Sequence, residues 1–427
     1  MPLLLHGIAP ARRGNGRPGG NKRSGQDVTR ILAAELGGLP ADRQVPLIQT
    51  LAKRGDDAAL PALYATARSG EEPVRVAAIR ALAEIGNASA FSVLVELLGN
   101  SSQPVAEAAQ ESLAALPGKD VDAGIMQMLA TGAPARRLIA MDLIVRRRMT
   151  AAIPALFEAA RDSDAKLRIA AVRKLGELSG PDQLPGLLDL LAKAGSPEDL
   201  EAAEQSVSAV CLKATDPAAC VGQVESRLAQ SQPAQKCALL RVLGAVGGKK
   251  ALEVVRAAIN DPNAEVHAAA IRTLGSWSTV DAADDLLGLA KTSDSPSDKM
   301  ICLRGYLRLA GQGDVPLDKR LAMCRQATPL AQKDDEKKLL LGALGSIASV
   351  EALELIMPYL DQAGTKEEAA ASAVGISEKL LKEKDSAKVA PKLIEPLDKV
   401  AQATANADLA TRAKDLRDQA KIKADAK

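Results

Sequence analysis

One short segment recurs along the chain at nearly constant spacing, and this repeat limits the fold more than any other feature. The segments VRVAAIRALAEIG from Val74, LRIAAVRKLGELSG from Leu167 and VHAAAIRTLGSWS from Val266 are nearly alike. With Leu82 as the reference position, ten equivalent residues follow along the chain: Leu51, Leu82, Leu113, Ile144, Leu175, Val207, Leu243, Leu274, Leu307 and Leu344. The first four steps are 31 residues each, and later steps range from 31 to 37. Such a period predicts a stack of small repeated units.

Each unit reads as two short helices joined by a turn. In the unit around Leu82, apolar residues at Val74, Ala78 and Leu82 keep the spacing of one helix face. Gly86 then supplies helix-ending chemistry, and a second apolar stripe begins at Ala90. A single hairpin of this size cannot bury both stripes, so consecutive hairpins must stack on one another.

The composition agrees with a stack of thin helices. Aromatic residues are 1% of the chain whereas hydrophobic residues reach 47%, so alanine, leucine, valine and isoleucine form the core. Alanine and the straight-chain residues favour helix, and strand-like runs are absent from the sequence. We therefore predict an all-α fold, a right-handed α-α superhelix with about 10–12 helical hairpins.

The sequence divides into four predicted regions. They are a disordered basic leader (1–26), regular repeats with the 31-residue period (27–180), irregular repeats (181–364), and a degenerate repeat with a C-terminal capping helix (365–427). The leader holds five basic residues and no acidic ones, so the remainder is nearly neutral and has no broad electrostatic footprint for nucleic acid. No apolar run reaches the roughly 18 residues of a membrane span.

Three units carry a recognisable consensus: DPNAEVHAAAIRTLGS (261–276), EEPVRVAAIRALAEIG (71–86) and DSDAKLRIAAVRKLGEL (162–178). Each has an acidic turn, then an apolar-basic pair, then a small-residue stretch ending near the reference leucine. They resemble the HEAT repeats of bacterial proteins, of the phycobilisome-lyase-like subtype, and this resemblance covers residues 28–364. It implies a solenoid of the HEAT or armadillo type, a helical scaffold that binds a protein partner.

The second half carries a narrower resemblance. The stretch from Leu274 to Gly311 and the segment EKKLLLGALGSIASVEALELIMPYLD are similar to HEAT regions of planctomycete and verrucomicrobial proteins. Those regions accompany sugar-active domains of the 3-keto-disaccharide hydrolase type or haem-binding modules, and such relatives are mostly exported. The apolar stub at Leu3–Leu5 is too short for a signal peptide. Localisation therefore stays open between export and the cytoplasm.

Few residues suit catalysis or metal binding. His6 lies in the leader, and His267 occupies the position held by Arg75 and Arg168, where the resemblance implies an ion pair with Asp261. The five cysteines contain no C-x-x-C pair, and no phosphate-binding glycine motif occurs. Trp277 takes a core position in its unit. We predict that the chain is not an enzyme and has no catalytic residues, cofactor or metal.

Two cysteine pairs are placed symmetrically about turns. Cys211 and Cys220 flank the turn TDPAA, and Cys302 and Cys324 flank a turn near residue 313. Each pair would face across a helical hairpin, where a disulfide has the Cα separation it needs. The alternative is that all four are small buried hydrophobes. A disulfide in either pair would indicate an oxidising compartment.

Arginine clusters are the candidate binding residues. An arginine recurs two residues before the reference position, at Arg80, Arg173, Arg241 and Arg272, where it forms either a continuous acid-binding ridge or a solvated ridge of local ion pairs. The densest patch lies in ARRLIAMDLIVRRRMT and is the preferred candidate for partner binding: Arg136, Arg137, Arg146, Arg147 and Arg148.

Two functions of different classes fit these features. The first is a non-catalytic scaffold that binds a protein of unknown identity or supports an associated enzyme. The second is a nucleic-acid binder or DNA-glycosylase-like enzyme built from helical repeats. The second would need a basic surface and aromatic residues that hold a displaced base. Because one tryptophan and three tyrosines are scattered along the chain, we favour the scaffold and expect no nucleic-acid partner.

Overall fold

The computed structural model describes residues 22–425 of the 427-residue chain. Within that range the structure is helical, with 24 α-helices, short 3-10 turns and no strands. The predicted leader lies outside the described residues except for its last five, which begin the first helix. None of the described helices combines the length and the apolar character needed to cross a bilayer. The predicted all-α fold is confirmed.

The helices belong to two compact units, whose boundary between residues 174 and 175 falls inside the tenth helix. The first unit contains α1 (Lys22–Glu35), α2 (Ala41–Arg54), α3 (Leu60–Ser69), α4 (Glu72–Ile85), α5 (Phe91–Leu97), α6 (Gln103–Ala115), α7 (Lys119–Thr131), α8 (Pro134–Arg146), α9 (Ile153–Ala159) and most of α10 (Ala165–Leu178).

The second unit contains the remaining helices. They are α11 (Leu184–Ala192), α12 (Pro197–Lys213), α13 (Pro217–Leu228), α14 (Pro233–Val246), α15 (Gly248–Ala258), α16 (Ala264–Gly275), α17 (Ala283–Thr292), α18 (Pro296–Ala310), α19 (Leu317–Ala327), α20 (Asp334–Gly345), α21 (Val350–Ile356), α22 (Lys366–Lys382), α23 (Ser386–Ala403) and α24 (Ala407–Asp425). The described residues of the predicted degenerate region, up to residue 425, contain α22, α23 and α24.

All ten reference residues lie on even-numbered helices, from α2 to α20, and none is more than 3% exposed. We call the even-numbered helices A helices, and the odd-numbered ones from α3 onward B helices. Successive A helices pack on one another within each unit, as α2 on α4 and α14 on α16. Because the reference residue is fully apolar and recurs once per hairpin, its burial produces the repeated core.

Local chemistry sets where the A helices begin and end. In α16 the Asn263 side chain accepts hydrogen bonds from the backbone N–H groups of Glu265 and Val266, at 2.9 and 3.2 Å. This satisfies donors that the first turn of a helix leaves without a partner. At the C-terminal end of another A helix, α4, Gly86 takes a left-handed conformation with φ of 75°. The hairpin turns are therefore encoded within each unit.

Basic side chains connect several A helices to the end of the previous A helix. Arg147 on α8 donates to the carbonyl of Leu116 at 2.5 Å, beyond the end of α6. Arg308 on α18 donates to the carbonyl of Trp277 at 2.5 Å, and Lys213 on α12 to that of Gly176 at 2.9 Å. A helix ends in partnerless carbonyls and partial negative charge, so a cation there is stabilising.

A second set of basic residues joins each A helix to the turn of the next unit. Lys236 pairs with Asp261 at 2.8 Å and Arg137 with Asp162 at 2.7 Å. The expected pair between His267 and Asp261 is wrong. His267 Nε2 lies 3.1 Å from Asp298, one unit further on, because Asp261 is already taken by Lys236 of the preceding unit. These pairs act between hairpins rather than within one.

Candidate partner-binding surface

The exposed ridge of the A helices carries the recurrent arginines, and it is not uniform. Arg80 lies 3.6 Å from Glu111, the residue at the equivalent position of the next unit. Arg241 on α14 makes a two-point contact with Glu204, and this hydrogen bond raises the pKa of the guanidinium. Arg272 on α16 is exposed. The ridge is therefore a series of local ion pairs with at least one interruption.

Two surface grooves meet at Arg272. The groove between α14 and α16 has a volume of about 400 Å³ and is lined by Arg241, Gly244, Ala245, Ala269, Arg272, Thr273 and Ser276. The groove between α16 and α18 has a volume of about 380 Å³ and is lined by Arg272, Gly275, Ser276, Ser297, Met300, Ile301, Arg304 and Arg308. Because they share Arg272 and Ser276, they form one continuous surface, which we call the arginine groove.

Small residues make the floor of the arginine groove. A Cβ atom on Gly244 would lie 2.6 Å from Thr273 Cγ2, and one on Gly275 would lie 2.6 Å from Ile301 Cγ2. The three A helices thus approach more closely than side chains at these positions would permit. The groove is open to solvent, with arginines and small residues in its lining.

The charge of the arginine groove is unbalanced. Neither groove has an aspartate or glutamate in its lining. Glu204 binds Arg241 at one end, and the carbonyl of Trp277 accepts from Arg308 at the other. Arg272 and Arg304 are exposed, and neither makes an ion pair with any acidic side chain of residues 22–425. These two guanidinium groups are available to an anionic ligand.

Arg304 and Arg308 did not belong to the sequence prediction. The register that placed Arg272 at its ridge position puts Gly305 there in the next unit. Their spacing of four residues, which places both on one helix face, is the signal that could have identified them.

The predicted arginine patch on α8 is arranged differently. Arg147, whose side chain is 10% exposed, pairs with Asp122 at 2.6 Å in addition to its carbonyl contacts. Arg137 pairs with Asp162, and Arg146 pairs with Asp142 at 2.8 Å. Arg136 and Arg148 are exposed, at opposite ends of α8. Partner binding by this patch stays a prediction, for which two exposed arginines remain.

The structure brings one predicted cysteine pair together. Cys211 near the end of α12 and Cys220 in the first turns of α13 are both buried free thiols. Burial, and then the adjacent thiol of Cys220 within hydrogen-bonding reach, raises the pKa of Cys211 to about 12. The two helices are joined by only three residues, so the pair is held across a tight hairpin. A disulfide between them stays a prediction.

The other three cysteines have different surroundings. Cys302 on α18 and Cys324 on α19 are fully buried thiols, and burial raises the pKa of each to about 12. The charged neighbours that act on them are Asp298 and Arg320 respectively. Cys237 is half-buried, and its thiol donates to the carbonyl of Glu265. A disulfide between Cys302 and Cys324 likewise stays a prediction.

Trp277 is 1% exposed, which confirms its predicted core position, and its indole N–H donates to Thr279 Oγ1 at 3.2 Å. It is therefore not presented to a ligand. Over the described part of the chain, no three histidine, cysteine or carboxylate side chains are grouped to hold a metal ion.

A protein-family comparison identifies the class that this stack of hairpins defines. The model described as HEAT repeats matches residues 32–114, 123–208 and 223–303, which is more than half of the chain. The chain therefore belongs to the HEAT-repeat family. A comparison with curated proteins finds no significant match.

Solved structures confirm the fold. The chain is similar to Kap121p, with 15% sequence identity and a TM-score of 0.51, over 93% of this chain and 50% of that one. Kap121p bound to Pho4p gives a TM-score of 0.52 with the same identity and coverage. Kap121p bound to Nup53p gives 0.51, over 90% of this chain and 50% of that one. The chain spans about half the length of these structures, and at this identity they indicate a shared fold alone.

Proposed function

We propose that this chain is a non-catalytic scaffold that binds another protein. The observation that carries the proposal is the arginine groove, an open surface with two guanidinium groups that the described part of the chain leaves without an acidic partner. Most other arginines on the A helices are held in ion pairs or on backbone carbonyls. Arg272 and Arg304 share one groove whose lining has no carboxylate, so this surface combines available cations with a concave shape.

The family and the solved structures support this proposal at the level of the fold. HEAT units contact mainly their neighbours, so a stack of them presents a long surface rather than one enclosed cavity. Solved complexes with the same fold include Kap121p bound to Pho4p and Kap121p bound to Nup53p. The partner of the present chain is either a separate protein or, following the bacterial HEAT regions it resembles, an enzyme domain that the helical part accompanies.

Affinity capture with the full chain tests the scaffold proposal. The immobilised chain is exposed to an extract of its native cells, and each captured protein is purified and titrated back by calorimetry. We expect a saturable complex of defined stoichiometry with at least one protein. Saturable binding to none would contradict the proposal. Preferential, salt-sensitive retention on duplex or damaged DNA would support the nucleic-acid alternative in its place.

A further inference from the structure

We propose that the arginine groove binds an extended, acidic peptide segment of the partner protein, in which carboxylates three residues apart contact Arg272 and Arg304. This inference rests on the scaffold function proposed above, and it adds the chemistry of the segment and its spacing. The proposed ligand is an unfolded stretch of protein that presents the carboxylates of aspartate or glutamate.

The charge pattern of the groove selects an anionic ligand. Four arginines line it, from three successive A helices, and its lining has no carboxylate. Arg241 and Arg308 at the ends are already bound to Glu204 and to the carbonyl of Trp277. The central Arg272 and Arg304 keep their full donor sets for planar, two-point contacts with carboxylates.

The helix spacing selects the separation of the carboxylates. Packed helices lie about 8–10 Å apart, and the glycine floor holds α14, α16 and α18 at close approach. In the polyproline II form of an extended chain, each residue advances about 3.1 Å and there are three residues per turn, so every third side chain lies on the same face about 9 Å further along. A segment that crosses α16 and α18 therefore presents acidic residues at positions i and i+3 to Arg272 and Arg304.

The lining favours a peptide over single-stranded nucleic acid. Stacking of bases on aromatic side chains is a main source of nucleic-acid affinity in such grooves. The two grooves are lined by arginine, glycine, alanine, serine, threonine, methionine and isoleucine, and the nearby Trp277 is buried. A narrow floor of small residues instead admits a peptide backbone, with the Ser276 and Ser297 side chains beside it.

The test uses the full chain and a fluorescein-labelled peptide made of three Glu-Pro-Pro triplets. This sequence adopts a polyproline helix with three residues per turn, so all three glutamates share one face about 9 Å apart. Two control peptides have the same length: one with the three glutamates adjacent, and one with glutamine in place of glutamate. A labelled single-stranded oligonucleotide is the fourth probe, and binding is followed by anisotropy at low and moderate salt.

The informative variant is R272Q combined with R304Q, and the matched control is Arg325→Gln. Arg325 on α19 is an exposed arginine of the second compact unit, without an ion pair in the described chain. It lies on a B helix and is not part of the groove lining. We expect the double variant to bind the spaced peptide about tenfold more weakly, since each exposed ion pair contributes about threefold. Arg325→Gln should bind as the wild type does.

The outcomes separate this inference from the scaffold function. Preference for the spaced peptide, loss in the double variant and weakening by salt together support the inference. No binding at millimolar peptide, equal loss in both variants, equal binding of the clustered peptide, or tighter binding of the oligonucleotide would overturn it. A captured protein that binds the double variant as well as the wild type would also overturn it, while leaving the scaffold function in place.

Discussion

The arginines around α8 and those of α16 and α18 differ in whether acidic side chains already hold them, although the sequence makes the first group more conspicuous. Three of the five arginines around α8 are held by Asp162, Asp142 and Asp122, and one of them also caps the end of α6. In the arginine groove, Arg272 and Arg304 have no such carboxylate among the described residues. The number of arginines in a stretch of sequence therefore does not measure how many are available on the surface, because acids of the same helix and acids and carbonyls of neighbouring hairpins already pair with some of them.

The largest effect should come from the most deeply held arginine. Arg147→Met leaves Asp122 and the carbonyls of Leu113, Ala114 and Leu116 without their cation. We expect a loss of about 2–4 kcal/mol in the stability of this region, since the partners of a removed buried charge stay behind. Hydrogen exchange of α6 and α8 measures it. Arg272→Met should keep the stability within about 0.5 kcal/mol of the wild type. Equal losses in the two variants would contradict the difference between the two groups of arginines.

A disulfide at the α12–α13 hairpin is the next effect in size. Two thiols exchanged with oxidised glutathione would yield one intramolecular disulfide and two reduced glutathiones, and closing so short a loop is worth about 2–3 kcal/mol. We expect Cys211 and Cys220 to close slowly, because burial and the raised pKa of Cys211 make thiolate scarce. The number of free thiols counted after denaturation should fall from five to three, and peptide mapping should locate the bond. Five thiols after prolonged oxidation would refute the pair.

A smaller effect tests the close packing beneath the arginine groove. Gly305 and Gly342 occupy the same repeat position, but a Cβ at Gly305 would lie 2.6 Å from the backbone oxygen of Gly275, whereas Gly342 has nothing within 4 Å. Gly305→Ala should destabilise by about 1–3 kcal/mol through overpacking. Gly342→Ala should stabilise by up to about 1 kcal/mol through helix propensity. Denaturant unfolding compares them, and the same sign for both would contradict the packing argument.

The smallest effect concerns the pH dependence of stability at His267 on α16. The carbonyl of Ile259 and then Asp298 raise the pKa of His267, because both ring nitrogens face hydrogen-bond acceptors. The raised value means that this stabilisation is complete below about pH 6.5 and is lost as pH rises through the folded pKa. His267→Arg should match the wild type near pH 5.5 and exceed it by less than about 0.5 kcal/mol at pH 8, since the side chain is 36% exposed. A pH-independent difference in thermal stability would contradict this assignment.

The sequence predicted the hairpins well because one short-range pattern determines them. Each reference residue, from Leu51 to Leu344, is buried on an A helix even where the step lengthens from 31 to 37 residues. Apolar spacing within a helix suffices for that prediction, and Trp277 followed from the same register. The fold of each unit is thus readable from local periodicity.

The surface was less predictable because it depends on pairs between units. Arg147 and Arg272 look equally basic in the sequence, yet one meets Asp122, 25 residues away, and the other meets no acid within the described range. His267 was assigned to the wrong aspartate for the same reason, since Lys236 of the preceding unit takes Asp261. Which charges remain available is decided by long-range registry between neighbouring hairpins, and helical spacing within one unit does not contain that information.

The cations that several A helices extend to the previous one also bear on where the chain can be cut. A fragment that ends after α17 would keep the hairpin of α16 and α17 but lose Arg308, and with it the donor to the carbonyls of Gly275 and Trp277. A fragment that ends after α18 keeps this donor and therefore the contacts at the end of α16. The end of α16 should therefore be more protected from hydrogen exchange in a fragment that ends after α18 than in one that ends after α17.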